Sequence, residues 1–293
     1  MNIMKVKKVN AFTKTVHGGN PAGVVLQSSH MTENQMKLIS KILHVSETAY
    51  VYPSNVADYK VRFFSPTVEV DLCGHATIAA FFTMAKEKNL PVRKEKTTVD
   101  QETNAGIFPV DVHFTKDDVD KVMMTQKTPL LKGIHIDRKQ IAKSLNIEEA
   151  DINKNLPNQI VSTGLFTLPI CIKSFDTLKN IIPDSELIKQ ICTTIRVGSF
   201  HVFTFETLED TSVYHARNFP PLYGINEDPV TGTANGAVCS YLIKNKIITQ
   251  NNLICEQGDV IGRPGRVFVE INDSTVKVGG KACFVEEKEI KFE

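Results

Sequence analysis

The chain has 293 residues, of which 42% are hydrophobic and 23% are charged, a composition typical of globular proteins. Its 34 basic and 33 acidic residues nearly cancel, which disfavours a surface that attracts nucleic acid or an anionic membrane. The length exceeds the usual size of one hydrophobic core, so we expect two domains of roughly 120–160 residues.

Targeting signals and cofactor motifs are not found in the sequence. No stretch approaches the roughly 18 uninterrupted apolar residues of a membrane span, and the N-terminus does not read as a signal peptide. The six cysteines are scattered without CxxC or CxxH pairs, so we expect a cytoplasmic protein with reduced thiols and no zinc or iron site. Neither GxGxxG nor GxxxxGK[ST] occurs, and no nucleotide cofactor is predicted.

The N-terminal segment up to Phe12 alternates apolar and polar residues and predicts an opening strand. A turn rich in glycine follows and contains Asn20. This turn is either a plain connection between strands or a place where Asn20 and neighbouring amides contact a ligand. Thr32 and Gln35 then predict a capping box for a helix that ends near His44.

Glu47 lies inside Val45–Tyr52, an otherwise apolar segment that predicts a strand. A carboxylate partly shielded from water is suited to pass protons to and from a bound substrate. The simpler alternative is an outward-facing acid on an alternating strand. Tyr59–Phe64 predicts the next strand, which leads into the turn Cys73-Gly74-His75 and then into an apolar helix that ends before Pro91.

The region around Gln126–Pro129 is the predicted domain boundary. It divides the chain into an N-terminal lobe, residues 1–126, and a C-terminal lobe, residues 127–293, whose last strand can return to the N-terminal lobe. In the second half, Asp137 with Gln140 predicts another capping box, and Asp184 predicts a further helix start. Strands are predicted near Thr97–Val99, Gly106–Phe114, Val119–Thr125, Asn158–Val161, Leu168–Ile172, Arg196–Phe205, Val213–Phe219, Leu253–Gln257, Gly265–Ile271, Thr275–Gly279 and Lys281–Glu287.

The stretch Arg62–Thr77 recurs in degraded form between Arg217 and Ala234. The aligned pairs are Glu69 with Glu227, Cys73 with Thr231, Gly74 with Gly232, and His75 with Thr233. Each copy runs from an aromatic strand through a turn into an apolar helix, so we expect two halves built alike. Glu47 aligns approximately with Phe200, which places the acid in only one half.

The two glycine turns are candidate binding sites for a small anion. The first amides of a helix have no partner within the helix and carry partial positive charge. His75, at one helix start, can act as a neutral imidazole that donates or accepts a hydrogen bond. Asp228, which precedes the second helix, is either a local cap or a second functional group.

Four ordered motifs together resemble the PhzF-like phenazine-biosynthesis family, and the resemblance covers essentially the whole chain. They are Asn20-Pro21-Ala22-Gly23, Ser46-Glu47-Thr48-Ala49-Tyr50, Cys73-Gly74-His75-Ala76-Thr77 and Glu227-Asp228-Pro229-Val230-Thr231-Gly232-Thr233-Ala234. This family shares the fold of diaminopimelate epimerase. The resemblance implies an α+β fold of two pseudo-symmetric lobes, each a curved, barrel-like mixed sheet around a central helix, with the active site in the cleft between the lobes.

The resemblance also implies an isomerase that needs no cofactor and commonly forms a homodimer. Glu47 would be the acid/base that moves a proton between carbons of a small carboxylated substrate, and His75 and Asp228 would orient the substrate or assist the transfer. The residues implied in substrate binding are Asn20, Ser46, Gly74, Gly232 and Thr233. In phenazine-producing members the reaction isomerises trans-2,3-dihydro-3-hydroxyanthranilate.

Two alternatives remain open at this point. The related epimerase uses two opposed cysteines, but here Cys73 is aligned with Thr231, whose hydroxyl is too weak an acid to replace a thiol. Cys73 is then either a small apolar filler or the reactive thiol of an epimerase, racemase or dehydratase. The other alternative is a non-enzymatic ligand-binding protein, which the joint presence of Glu47, His75 and Asp228 disfavours.

Overall fold

The computed structural model describes residues 2–26, 28, 31–91, 95–116 and 118–292. The strands over these residues are β1 (Asn2–Ala11), β2 (Asn20–Val25), β3 (Thr48–Pro53), β4 (Tyr59–Phe64), β5 (Glu69–Val70), β6 (Lys96–Thr103), β7 (Gly106–Thr115), β8 (Asp118–Thr125), β9 (Leu130–Gly133), β10 (Gln159–Ser162), β11 (Phe166–Cys171), β12 (Ser199–Thr204), β13 (Tyr214–Phe219), β14 (Asn252–Gln257), β15 (Gly265–Asn272), β16 (Thr275–Gly280) and β17 (Ala282–Phe292). The helices are α1 (Glu33–Leu43), α2 (Gly74–Lys86), α3 (Arg138–Leu145), α4 (Phe175–Asn180), α5 (Ser185–Ile195) and α6 (Gly232–Lys244). In this part of the chain, each helix is too short or too polar to cross a membrane.

The chain divides into two compact units. The first comprises Met1–Thr125 together with Gly279–Glu293, and the second comprises Gln126–Val278. The first unit therefore contains Glu47, Cys73 and His75, whereas the second contains Asp228 and the start of α6.

Helix α2 is the centre of the first unit. It is buried continuously from Ala76 to Ala85 and packs against β1, β2, β3, β7, β8 and β17. A helix that is apolar on all sides is stable only when surrounded, and each fully buried phenylalanine such as Phe81 contributes about 1.5–3 kcal/mol. The surrounding ladder is mixed: β2 and β3 are parallel, whereas β1–β2, β3–β4, β6–β7 and β1–β17 are antiparallel.

The second unit repeats this plan around α6. Residues Ala234–Leu242 of this helix are buried, and the helix packs against β10, β11, β12 and β15. Strands β11 and β12 are parallel and β12 and β13 antiparallel, the same order as β2, β3 and β4 in the first unit. A mixed sheet around a buried helix is thus built in each unit.

An arginine–glutamate ion pair occurs at matching positions of the repeat. Arg62 Nε lies 2.7 Å from Glu69 Oε1, and Arg217 Nη2 lies 2.7 Å from Glu227 Oε2. Each guanidinium also lies over the ring of the phenylalanine two residues further along its strand, with its central carbon 4.9 Å from the ring centroid in the first unit and 5.0 Å in the second. Because α2 and α6 each span 13 residues, the alignment of the two sequence copies is confirmed as a structural equivalence.

The strand register corrects one position in that alignment. Phe64 lies opposite Thr48, and Phe219 lies opposite Phe200. Thr48 is therefore the equivalent of Phe200, so Glu47 corresponds to Ser199. The predicted match of Glu47 with Phe200 was wrong by one residue, but the equivalent position still carries no acid.

Other local predictions were confirmed or corrected by the hydrogen bonds. Thr32 and Gln35 form the predicted capping box, and the helix ends at His44 in a left-handed conformation. Asp137 caps α3 by accepting from the amide of Lys139, where a capping box with Gln140 had been predicted. Helix α4 and strand β9 were not predicted, because both are short and lack a clear apolar period.

Candidate active site

Glu47 lies in the connection between α1 and β3, one residue before the strand begins. The prediction that it lies inside the strand was therefore wrong. Its position is set by the turn at His44, after which the Val45 amide donates to the Ser40 carbonyl at 3.2 Å. The Glu47 carbonyl then accepts from the Gly23 amide of β2 at 3.0 Å, which fixes the backbone at both ends.

His75, the second residue of α2, brings its imidazole against Glu47. The Nε2 atom lies 3.3 Å from Glu47 Oε2 and 3.3 Å from Ser46 Oγ. The side chains are largely buried, with 12% of His75 and 18% of Glu47 exposed. Of the predicted site residues, the structure thus brings Ser46, Glu47 and His75 into contact.

Cys73 joins this group from the residue that precedes α2. Its sulfur lies 3.5 Å from His75 Nδ1 and 3.9 Å from Nε2. One donor atom from each of Glu47, Cys73 and His75 falls within 4.8 Å of the others. Sequence spacing missed this cluster, because Glu47 reaches it from a distant part of the chain.

Helix α2 begins without a capping side chain among the described residues. Helices α1, α3, α4 and α5 each begin with a side chain that accepts a bond from a first-turn amide. By contrast, α2 and α6 have no such cap among the described residues, since neither Cys73 nor Thr231 makes the bond. A Cβ added to Gly74 would meet no described atom within 4 Å. The first amides of α2 can therefore donate hydrogen bonds to a ligand's carboxylate.

In the second unit, Asp228 is held by a local hydrogen-bond network. Its carboxylate accepts from the Thr231 hydroxyl, and its carbonyl accepts from Gln257 Nε2 at 2.9 Å. Gln257 is fully buried, and its Oε1 accepts from the Thr231 amide at 3.0 Å and from Asn235 Nδ2 at 2.8 Å. Sequence reasoning missed Gln257, a distant residue that orients Asp228 and the start of α6.

The other predicted binding residues occupy element starts. Asn20 is buried, begins β2 and pairs with Ala11 of β1, so it belongs to a strand and not to a loop. Gly232 is buried at the first position of α6. The Thr233 carbonyl accepts from Thr163 Oγ1 at 3.1 Å.

A second buried histidine, His201, has a different setting. It is fully buried in β12, where its Nδ1 lies 3.2 Å from Asn218 Oδ1. Burial lowers the pKa of His201 to about 4, because desolvation disfavours the charged imidazolium. Its ring is therefore a neutral part of the core.

All six cysteines are free thiols, and five of them are buried. Burial raises the pKa of Cys171 and of Cys192 to about 12, which makes these thiols poor nucleophiles. Cys73 differs from them in its contact with an imidazole.

Comparison with known proteins identifies the family. The profile of the PhzC-PhzF family, phenazine biosynthesis-like protein, matches residues 9–288. An uncharacterized isomerase of Clostridium acetobutylicum is 39% identical over 296 residues, covering 97% of this chain and 96% of that protein. The PhzF-family phenazine biosynthesis protein of Bacillus anthracis superposes with a TM-score of 0.90 at 31% identity, covering 100% of both chains.

A hydroxyproline epimerase from Agrobacterium vitis shares the fold, with a TM-score of 0.66 at 11% identity, covering 99% of this chain and 91% of that one. Together with the PhzF structure, it confirms the predicted α+β fold of the diaminopimelate epimerase type. The chain belongs to the PhzC-PhzF phenazine biosynthesis-like family and is an isomerase.

Proposed function

We propose that the protein isomerises a small carboxylated substrate by moving a proton between two of its carbons, with Glu47 as the acid/base. The observation that carries this proposal is the contact of Glu47 Oε2 with His75 Nε2 at 3.3 Å, at the uncapped start of α2. A shielded carboxylate next to a helix start combines a proton acceptor with a site for negative charge.

The reaction needs two proton transfers through one side chain. The Glu47 carboxylate takes a proton from one carbon, and the electron pair of the broken C–H bond delocalises into the substrate. The protonated Glu47 then returns the proton to a second carbon, so the reaction has no net change in protons or electrons. Positioned acid/base catalysis of this kind contributes roughly 10²–10⁴-fold to the rate.

His75 orients the Glu47 carboxylate and stabilises the charge that develops on the substrate. The first amides of α2 hold the substrate carboxylate, and Gly74 allows the ligand to approach the backbone. Ser46, whose hydroxyl lies 3.3 Å from His75 Nε2, offers a further hydrogen bond.

Residues of the second unit complete the proposal. We assign Asp228 to substrate orientation, and Gly232 and Thr233 to the binding of polar substrate groups, as the family resemblance implies. This assignment is supported by the network through Thr231 and Gln257 that holds Asp228. We assign Asn20 a binding role on the same resemblance, and we propose that the protein is a homodimer, which sedimentation equilibrium tests directly.

A thermal-shift screen against cyclic and amino-bearing carboxylic acids identifies the substrate class, because a ligand that binds only the folded state raises the apparent stability. For a hit that is turned over, we expect Glu47→Gln to lower kcat by roughly 10²–10⁴-fold while ligand binding persists. Glu289→Gln, the same change at an exposed position of β17, is the matched control. Undiminished turnover by Glu47→Gln would exclude Glu47 as the acid/base.

A second candidate uses Cys73 as the acid/base of an epimerase, racemase or dehydratase. It is favoured by the distance of 3.5 Å between Cys73 Sγ and His75 Nδ1, since an adjacent imidazole can activate a thiol. The Thr231 hydroxyl, which stands at the equivalent position, donates to Asp228 and cannot serve as a second thiol. Loss of turnover in Cys73→Ala with normal turnover in Glu47→Gln would select this candidate over the first.

A further inference from the structure

The cluster of Glu47, Cys73 and His75 presents three chemically different donors to one point. They are a carboxylate oxygen, a thiol sulfur and an imidazole nitrogen, all within 4.8 Å of one another. This combination suits a borderline-soft ion such as Zn²⁺ and is unlike the all-oxygen sets that Mg²⁺ and Ca²⁺ prefer.

The distances in the cluster are close to those of a tetrahedral zinc site. Bond lengths of about 2.0–2.1 Å to nitrogen and oxygen and about 2.3 Å to sulfur place tetrahedral ligands roughly 3.3 Å (N to O) and 3.5 Å (N to S) apart. His75 Nε2 lies 3.3 Å from Glu47 Oε2 and 3.9 Å from Cys73 Sγ. The Nε2-to-Sγ distance of 3.9 Å is about 0.4 Å longer than the tetrahedral separation, so metal binding requires the Cys73 sulfur to move slightly towards the imidazole.

We propose that Glu47, Cys73 and His75 bind one Zn²⁺ ion and that this ion is a reversible inhibitor of the enzyme. Three protein ligands leave a fourth position for water, as in open zinc sites. The Cys73 thiol loses its proton to solvent as the sulfur–zinc bond forms, and His75 binds as the neutral imidazole. The Glu47 carboxylate oxygen then donates its lone pair to the ion, and this oxygen can no longer accept the substrate proton.

Metal binding in this proposal is independent of the catalytic role of Glu47, and only the inhibition rests on the proposed function. The two claims are therefore tested by separate readouts. Binding is measured on the substrate-free protein, and inhibition is measured as turnover with and without added Zn²⁺.

Cobalt is the spectroscopic probe for binding. Titration of the chelator-treated full chain with Co²⁺ is expected to produce a thiolate-to-cobalt charge-transfer band and intense visible bands of tetrahedral cobalt, saturating at one equivalent. Zn²⁺ should abolish these bands by displacement, whereas excess Mg²⁺ should leave them unchanged. Absence of the charge-transfer band in the native protein would overturn the proposal.

Variants assign the ligands. Cys73→Ser should lose the charge-transfer band, and Glu47→Gln should retain it but bind Zn²⁺ at least about 100-fold more weakly, more than the loss of an outer-shell partner costs. Cys283→Ala removes a partly exposed thiol elsewhere and should bind as the native protein does. A band that persists in Cys73→Ser or disappears in Cys283→Ala would refute the site, with circular dichroism showing that each variant is folded.

Inhibition is the final arm of the test. If Zn²⁺ binds but turnover is unaffected, the ion does not compete with proton transfer and its inhibitory role is refuted. If Glu47→Gln retains full turnover while Zn²⁺ still binds the native site, the proposed function fails and the metal site stands.

Discussion

Gly74, at the start of α2, is a glycine for which the structure shows no packing or conformational requirement. A Cβ there would meet no described atom within 4 Å, and Gly74 is not among the residues with positive φ. Packing and backbone conformation therefore do not require glycine at the start of α2. We propose that glycine serves here to let a ligand approach the helix amides closely.

Replacing Gly74 with alanine should raise stability and lower activity. Alanine reduces the entropy lost on folding, so we expect the free energy of unfolding to rise by a few tenths of a kcal/mol to about 1 kcal/mol. The added methyl should hinder ligand approach and lower kcat/KM by about tenfold or more. Urea unfolding and steady-state kinetics measure the two effects, and Gly133→Ala, also free of steric conflict, is the control. Native kcat/KM in Gly74→Ala would show that the ligand does not approach this amide.

Residue types at the site were predictable from the sequence, but their contacts were not. Glu47 and His75 were predicted because an acid in an apolar segment and a histidine after a helix-opening glycine are local patterns. The approach of Glu47 to His75 and Cys73 depends on where the turn at His44 directs the chain. That direction is a property of the fold and not of the motif.

At the scale of elements, the pairing of β2 with the start of β3 places Glu47. Gly23 lies opposite Thr48, and a Cβ on Gly23 would lie 2.3 Å from Thr48 Oγ1 and 2.8 Å from Leu43 Cδ1. The Thr48 hydroxyl is itself fixed by a bond of 2.8 Å from Ser40. Glycine is therefore required here by packing, in contrast to Gly74.

Gly23→Ala should consequently destabilise the protein and impair catalysis together. Overpacking of this kind costs about 1–3 kcal/mol, and the displaced backbone would carry Glu47 away from His75. Thermal and urea unfolding should show the loss, and the turnover of the folded fraction should fall as well. Unchanged stability would mean that β3 shifts freely, which would contradict its role in positioning Glu47.

Elements with strong local signals were predictable, and those with weak signals were not. The capping box of α1 and the buried, alanine-rich α2 follow from short-range patterns. Helix α4 has only six residues, too few to show a helical period. The start of β3 was predicted too early because Val45 is apolar and buried although it precedes the strand, in a core cluster that residues of α1 and of the strands form together.

For the whole molecule, the internal repeat was the most informative feature of the sequence. It correctly predicted two equivalent helices, α2 and α6, whereas the paired arginine–glutamate contacts were found only in the structure. It could not predict networks joining distant segments, such as Gln257 with Asp228. The residues that form such contacts follow no periodic pattern in the sequence, and the contacts differ between the two units.

One of these networks lies in the core of the second unit. His215 Nδ1 is 2.8 Å from Glu256 Oε2, and both side chains are fully buried. The amides of Leu208 and Glu209 also donate to the Glu256 carboxylate, at 2.8 and 2.7 Å. Burial alone would raise the pKa of Glu256, but these hydrogen bonds outweigh it and lower the pKa below its ordinary value.

The lowered pKa of Glu256 predicts acid sensitivity. Its stabilising contribution is fully present above the unfolded-state pKa of about 4.3 and is lost as pH falls through the lower folded-state pKa. Glu256→Gln should therefore reduce the free energy of unfolding by about 3 kcal/mol at pH 7. The difference from the native protein should shrink as pH falls below the unfolded-state pKa and through the lower folded-state pKa of Glu256. Urea unfolding of both proteins from pH 7 into the acid range measures this difference in the free energy of unfolding. A difference that does not change with pH would contradict the ionised, hydrogen-bonded state of Glu256.

Proton transfer by Glu47 is tested most directly by solvent-deuterium incorporation into a turned-over carboxylate, followed by proton NMR in D₂O. The native enzyme should introduce deuterium at the carbon that receives the proton, to the extent that protonated Glu47 exchanges with solvent. Glu47→Gln should introduce none while still binding the ligand, and Glu289→Gln should match the native enzyme. Full incorporation by Glu47→Gln would contradict the assignment of Glu47 as the acid/base.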